Sequence, residues 1–309
     1  RIFDSVWVHE IDTLGFPKPP SDGGYPSGVD SLYDVYITNL GGSVYGLTYP
    51  DSLFFTNQFS LDATSFIEID NDYQESGFPA YHSNPLNAVR VTAAHEFFHA
   101  IHFAIDLTEM EDVTGPVQRR YWYEMSATWM EEEIYDNIND YYITLPFFFN
   151  VPRASIQQFS SYFDFHPYAS VVFPIFLTEK FGRDIIRPIW LKCGQMGYGP
   201  NFLEATQLVI DSVTNGAENF RSVFGEFTLW NYFTGSRAGV IPPGVTGYSE
   251  RNFYPEIPDS AFIQVYQYPV SVPTNANPKN PSVNSATYLK LNNTRAIFYS
   301  SPADTSLRT

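Results

Sequence analysis

Val91-Thr92-Ala93-Ala94-His95-Glu96-Phe97-Phe98-His99-Ala100-Ile101 is the stretch on which the reading of this 309-residue chain turns. Apolar residues recur at helical spacing from Asn87 to about Leu107, and Asn84-Pro85 is a helix-start signal. On such a helix, positions i and i+4 lie on one face a turn apart. The imidazoles of His95 and His99 can therefore reach a single ion at about 2 Å from each nitrogen. Glu96 is offset along the helix, so it can hold a water at the ion rather than the ion itself. A Lewis acid beside a base is what a hydrolase needs. The bland alternative is a pair of hydrogen-bonded core histidines, but two histidines and a glutamate are costly to bury without partners.

Zinc needs a third protein ligand. One known extension of the motif puts Gly at 102 and His or Asp at 105, but this chain has His102 and Ile105. The other places a glutamate on a later helix. Glu124 fits, in Trp122-Tyr123-Glu124-Met125-Ser126-Ala127-Thr128-Trp129-Met130-Glu131, where Ser126 and Ala127 allow a close helix approach. Glu131 lies seven residues on and shares roughly the same face, so it is a rival. The run Glu131-Glu132-Glu133 also reads as a solvated helix end or as outer support for the ligands. His102, near one turn past His99, is a ligand, a supporting group or a packing residue.

The region from Phe66 to Met130 resembles the gluzincin-type zinc peptidases, closest to a group of secreted bacterial metalloproteases. The resemblance rests on His95-Glu96-Phe97-Phe98-His99-Ala100 and on Glu124 to Glu131, with weaker similarity over most of residues 30–255. It implies His95, His99 and Glu124 as zinc ligands and Glu96 as the general base. It also implies a thermolysin-like α+β fold and secretion after removal of a signal, with or without a propeptide; a chain opening on Arg1 is read equally as a processed form, a fragment or a product of cloning. The Asp often found four residues after the ligand Glu is Thr128 here, which puts the usual support of a ligand histidine in doubt.

A hydrolase of this kind needs a donor for the oxyanion. Ser161 to Ser170 precedes a helix and offers Tyr168 and His166, and Tyr168 resembles the tyrosine that opens a helix in related peptidases. A protein or peptide substrate is expected to add as a strand to Ser65–Asp70. Asp70, Asp72 and Glu75, like Asp30 and Asp34, are compactly spaced oxygen donors, but they do not match the EF-hand loop, and calcium is a weak second expectation. Gly23-Gly24 and Gly41-Gly42 read as turns, not phosphate loops.

Outward from the motif, residues 1–80 read as β-rich, with strands at Tyr33–Ile37, Val44–Thr48 and Ser65–Asp70. Residues 81–255 read as helical, with further helices at Tyr121–Tyr135, Tyr168–Phe181, Arg183–Cys193, Phe202–Val213 and Ala217–Phe233. Residues 1–255 are thus expected to form the peptidase domain. Residues 256–309 read as a Pro/Asn/Ser-rich linker (Pro273, Pro278, Pro281) and the opening of a β-type domain, with strands at Ala286–Leu291 and Arg295–Tyr299. The net charge of −17 is unfavourable for nucleic acid. No stretch of eighteen apolar residues exists to span a membrane. The single cysteine, Cys193, excludes an intrachain disulfide and reads as a buried, inert thiol. Two other readings compete with an endopeptidase: a binding or adhesion protein on a degenerate scaffold of the same kind, and an aminopeptidase, for which no substrate-amine motif is evident.

Overall fold

The computed structural model describes residues 1–21, 32–42, 44–55, 61–77, 80–110, 120–160, 164–265, 284–291 and 295–301. The expected linker prolines, Asp30 and Gly23-Gly24 lie outside these residues. Helix and strand are mixed in an α+β arrangement. Contacts gather the chain into two compact units, 1–140 with 183–205, and 141–182 with 206–309. Among the described residues, no helix is long and apolar enough to cross a membrane.

The first unit opens with helix α1 (Ile2–Trp7), which continues as a π-helical turn over Val8–Thr13. This helix is absent from the sequence reading because Gly and Pro dominate the composition only after Thr13, from Gly15 to Pro20. The aromatic rings of Trp7 and Phe16 seat it on the helix that carries His95 and His99, with centroids 5.4 Å from Phe97 and 4.9 Å from Phe98. Three strands follow: β1 (Val35–Thr38), β2 (Gly46–Phe55) and β3 (Leu61–Asp70). Their spatial order is β1-β3-β2, with β1 parallel and β2 antiparallel to β3. Ile67 is paired with Val35 on one side and Thr48 on the other. Ser65–Asp70 is therefore part of the middle strand. Its backbone groups are engaged by β2 and, from Ile67, by β1 as well, so it is not the free edge expected from the sequence; among the described residues β2 and β1 are the edges.

Helix α2 (Pro85–Ile105) packs against β3 and β2. Pro85 sits in its first turn, where a missing N–H needs no partner. From Val91 to Ile105 it is buried nearly all round, the pattern of a core helix. Helix α3 (Tyr121–Tyr135) lies against it through the fully buried Ser126 and Ala127. Trp122 stacks at 4.2 Å on Phe202 and at 5.6 Å on Trp190.

The second unit holds helices α4 (Pro146–Phe149), α5 (His166–Ala169) and α6 (Val172–Phe181). Helix α7 (Ile186–Met196) returns to the first unit, and its Gly194 meets the end of α2: a Cβ there would lie 2.7 Å from the Ile105 carbonyl oxygen. Helix α8 (Phe202–Thr214) begins in the first unit and continues in the second, where α9 (Phe220–Tyr232) follows under an Asn219–Ser222 capping box. The helix expected over Tyr168–Phe181 is broken at Ser170 and Val171. The break places Pro174 in the first turn of α6, where its ring and missing N–H are tolerated, and the Ser170 hydroxyl donates back to the His166 carbonyl at 2.8 Å.

An aromatic cluster fills this unit, with Phe173 5.1 Å from Phe227 and Phe176 4.9 Å from Trp230. Strands β4 (Ile263–Val265), β5 (Ser285–Leu291) and β6 (Arg295–Ser301) form a second sheet. It is tied to the helices by the Ala286 N–H on the Pro152 carbonyl and the Tyr288 hydroxyl on the Thr228 carbonyl, both at 2.8 Å.

Candidate metal centre

The periodicity of α2 places His95 and His99 on the face that α3 covers, and α3 places Glu124 opposite both. Ligand atoms of the three residues lie within 4.8 Å of one another. Nε2 of His95 is 3.2 Å and Nε2 of His99 is 3.4 Å from the same oxygen, Oε2 of Glu124. The side chains retain 11%, 12% and 7% of their surface, so the cluster is nearly dry yet not sealed. Two nitrogens and a carboxylate oxygen converging at this range are a donor set that can hold one divalent cation.

Supporting contacts fix the rings. Nδ1 of His95 is 2.6 Å from Oε1 of Glu131. Of the three consecutive glutamates, Glu131 is the one that reaches His95, at Nδ1 and outside the group of converging atoms. Thr128 instead turns its hydroxyl back to the Glu124 carbonyl, at 2.8 Å. His102 is not among the converging groups. It is fully buried, with Nδ1 3.3 Å from Nδ1 of His99 and Nε2 3.3 Å from the Ser126 hydroxyl.

The electrostatics follow from burial and these contacts. Burial disfavours a charged His95 ring, but hydrogen bonds to Glu124 and Glu131 outweigh it and raise its pKa well above the usual histidine range. Burial likewise pushes Glu124 up, and the two histidines reverse this and bring it well below the usual carboxylate range. Burial raises Glu131 to about 7 against its bond to His95. Burial, with the nearby rings of His99 and His95, holds His102 well below its ordinary value.

Glu96 is next to His95 in sequence and is buried beside it. Its partner is Thr48 on β2, whose hydroxyl lies 2.7 Å from Oε2 and 2.8 Å from the Glu96 carbonyl. The approach of β2 depends on Gly46, where a Cβ would lie 2.6 Å from Cγ2 of Thr92 and 2.8 Å from Cγ of Glu96. Sequence reasoning missed both residues. It also missed Glu10, fully buried on the π-helical turn, with no hydrogen-bond partner for either oxygen among the described residues. Burial raises the pKa of Glu10 well above the carboxylate range, opposed by the charge of His95.

The two expected oxyanion donors belong to the second unit. His166 is buried, with Nδ1 3.1 Å from the Phe147 carbonyl and Nε2 2.9 Å from the Ser155 carbonyl. Tyr168 is half-buried beside Phe165. Residues 161–163 of the same segment lie outside the described residues. Asp70, Asp72 and Glu75 do come within 4.8 Å of one another. Asp70, however, already accepts backbone N–H bonds from Leu40, Asp72 and Tyr73, so its charge is satisfied by a turn without a cation.

In comparison with known proteins, no family model and no curated sequence matches this chain.

Proposed function

We propose that the chain is a secreted zinc endopeptidase of gluzincin type, with His95, His99 and Glu124 as ligands and Glu96 as general base. The observation that carries the reading is the buried convergence of two Nε2 atoms on Glu124, with the Glu96 carboxylate one residue away and held by Thr48. The donor set is that of catalytic zinc sites in hydrolases. Bound there, zinc would supply Lewis acidity toward a water and a substrate carbonyl. Glu96 takes the proton of the attacking water and passes it to the departing nitrogen. Thr48 orients the base. An extended peptide would lie along the outer edge of β2, the strand that carries Thr48.

A thermolysin-like peptidase domain over 1–255 and secretion are carried by the sequence resemblance. The reading as a degenerate binding scaffold draws on Thr128 and on the trailing β-piece; the Glu131 contact to His95 answers the first ground and leaves the second standing. The test is cleavage of a peptide library by the zinc-loaded protein. The wild type should cut internal bonds, and Glu96→Gln should be slowed by about 10²–10⁴-fold. Full cleavage by Glu96→Gln, or none by the wild type, would overturn the reading.

A further inference from the structure

We propose that His102 is a positioning residue for the metal site: as a neutral ring it accepts the Nδ1–H of His99 and so presents Nε2 of His99 to the cation. The inference rests on the metal-binding reading above and adds the residue that sets the second histidine.

His99 directs Nε2 at Glu124, so Nε2 is its ligand atom. A neutral imidazole that binds a cation through Nε2 carries its proton on Nδ1. That Nδ1 lies 3.3 Å from Nδ1 of His102. Two N–H groups facing each other in a buried site would leave both donors unsatisfied. Nδ1 of His102 is therefore the acceptor, and its proton sits on Nε2, which faces the Ser126 hydroxyl at 3.3 Å.

The oxygen of Ser126 is placed to receive it. Its own proton goes to the Trp122 carbonyl at 2.7 Å, and its lone pairs face Nε2 of His102 and the indole N–H of Trp190, the latter at 3.2 Å. Every proton in the chain from His99 to Trp122 is then used once. Stacking on Trp190, with centroids 4.0 Å apart and planes within 18°, holds the His102 ring in the orientation this requires.

The two ligand histidines are thus supported differently. His95 donates to a carboxylate, which strengthens it as a donor, whereas His99 donates to an uncharged ring. Packing alone does not call for this arrangement, since a phenyl ring would fill the same space between Phe98, Tyr123 and Trp190.

The test compares His102→Phe, His102→Gln and His102→Asn with the wild type. Zinc affinity is measured by competition with a chromophoric chelator, and folding by circular dichroism and melting. Phe keeps the ring but no acceptor, and Gln places its amide too far out to meet His99. Asn keeps an acceptor at the δ position and loses the stacking. Phe and Gln should bind zinc at least about 10-fold more weakly. Asn should stay within about 3-fold of the wild type while melting lower, because the acceptor survives and the ring contact does not. In the zinc-loaded wild type, ¹⁵N NMR should show an exchange-protected Nδ1–H of His99 coupled across the hydrogen bond to Nδ1 of His102. Equal affinity loss in all three variants, wild-type affinity in His102→Phe, or absence of that coupling overturns the proposal. Absence of zinc binding by the wild type would instead overturn the metal reading, and this proposal with it.

Discussion

Removing the Glu131 carboxylate should weaken metal binding in two graded steps. The Nδ1–Oε1 distance of 2.6 Å and the near-complete burial of both partners make this a strong, charge-assisted hydrogen bond. Bonds to charged groups contribute about 1.5–3 kcal/mol. At about 1.4 kcal/mol per decade, losing the whole contact corresponds to about 10- to 100-fold in affinity. Glu131→Ala should show the full loss. Glu131→Gln keeps an acceptor but no charge, and charged bonds are about twice as strong as neutral ones. It should therefore lose about half of the free energy, or about 3- to 10-fold in affinity. The assay is zinc competition at fixed pH, with far-UV circular dichroism to verify the fold. Glu131→Ala binding as tightly as the wild type, with an intact spectrum, would refute the supporting role and with it the explanation of Thr128.

Gly46→Ala should lower stability by about 1–3 kcal/mol and also lower peptide turnover, because the new methyl meets Thr92 and the Glu96 side chain at under 3 Å; urea denaturation and peptide hydrolysis read both, and unchanged values would count against the β2–α2 contact. Asp106 and Glu109 are fully buried, and burial raises each to about 7 from ordinary values of 3.8 and 4.5. Above the ordinary values the unfolded chain loses these protons while the folded chain keeps them, so stability falls as pH rises from about 4 to 7. For Asp106 the penalty is about 4 kcal/mol at pH 7 and above, and Asp106→Asn should flatten the melting curve against pH; a variant as pH-dependent as the wild type would refute this. Cys193 is buried and its thiol is pushed well above its usual pKa by burial, so an aromatic disulfide reagent should label it only after unfolding; rapid labelling of the native protein would contradict that.

The parts of this site that depend on local periodicity are legible in the sequence. The i, i+4 spacing puts His95 and His99 on one face. Pro85 marks the start of α2 within two residues of the expected boundary, and α3 spans Tyr121–Tyr135 as expected. What escapes the sequence depends on how elements meet. Glu131, Glu132 and Glu133 point about 100° apart around one helix, and only the crossing of α2 and α3 decides which of them faces His95. Thr48 and Gly46 reach Glu96 because β2 pairs with β3, and pairing order leaves no local signal. The same lack of a signal for order leaves Ser65–Asp70 open in the sequence as an edge or an internal strand, and it is central. Glu10 was hidden by averaging a Gly- and Pro-free helix with the turn-rich segment behind it.

The most direct measurement is the metal content of the purified chain after exhaustive dialysis, for the wild type and Glu124→Ala, by plasma mass spectrometry. The account predicts one zinc per wild-type chain and a large loss in the variant. No retained zinc in the wild type, or equal zinc in both proteins, would contradict it.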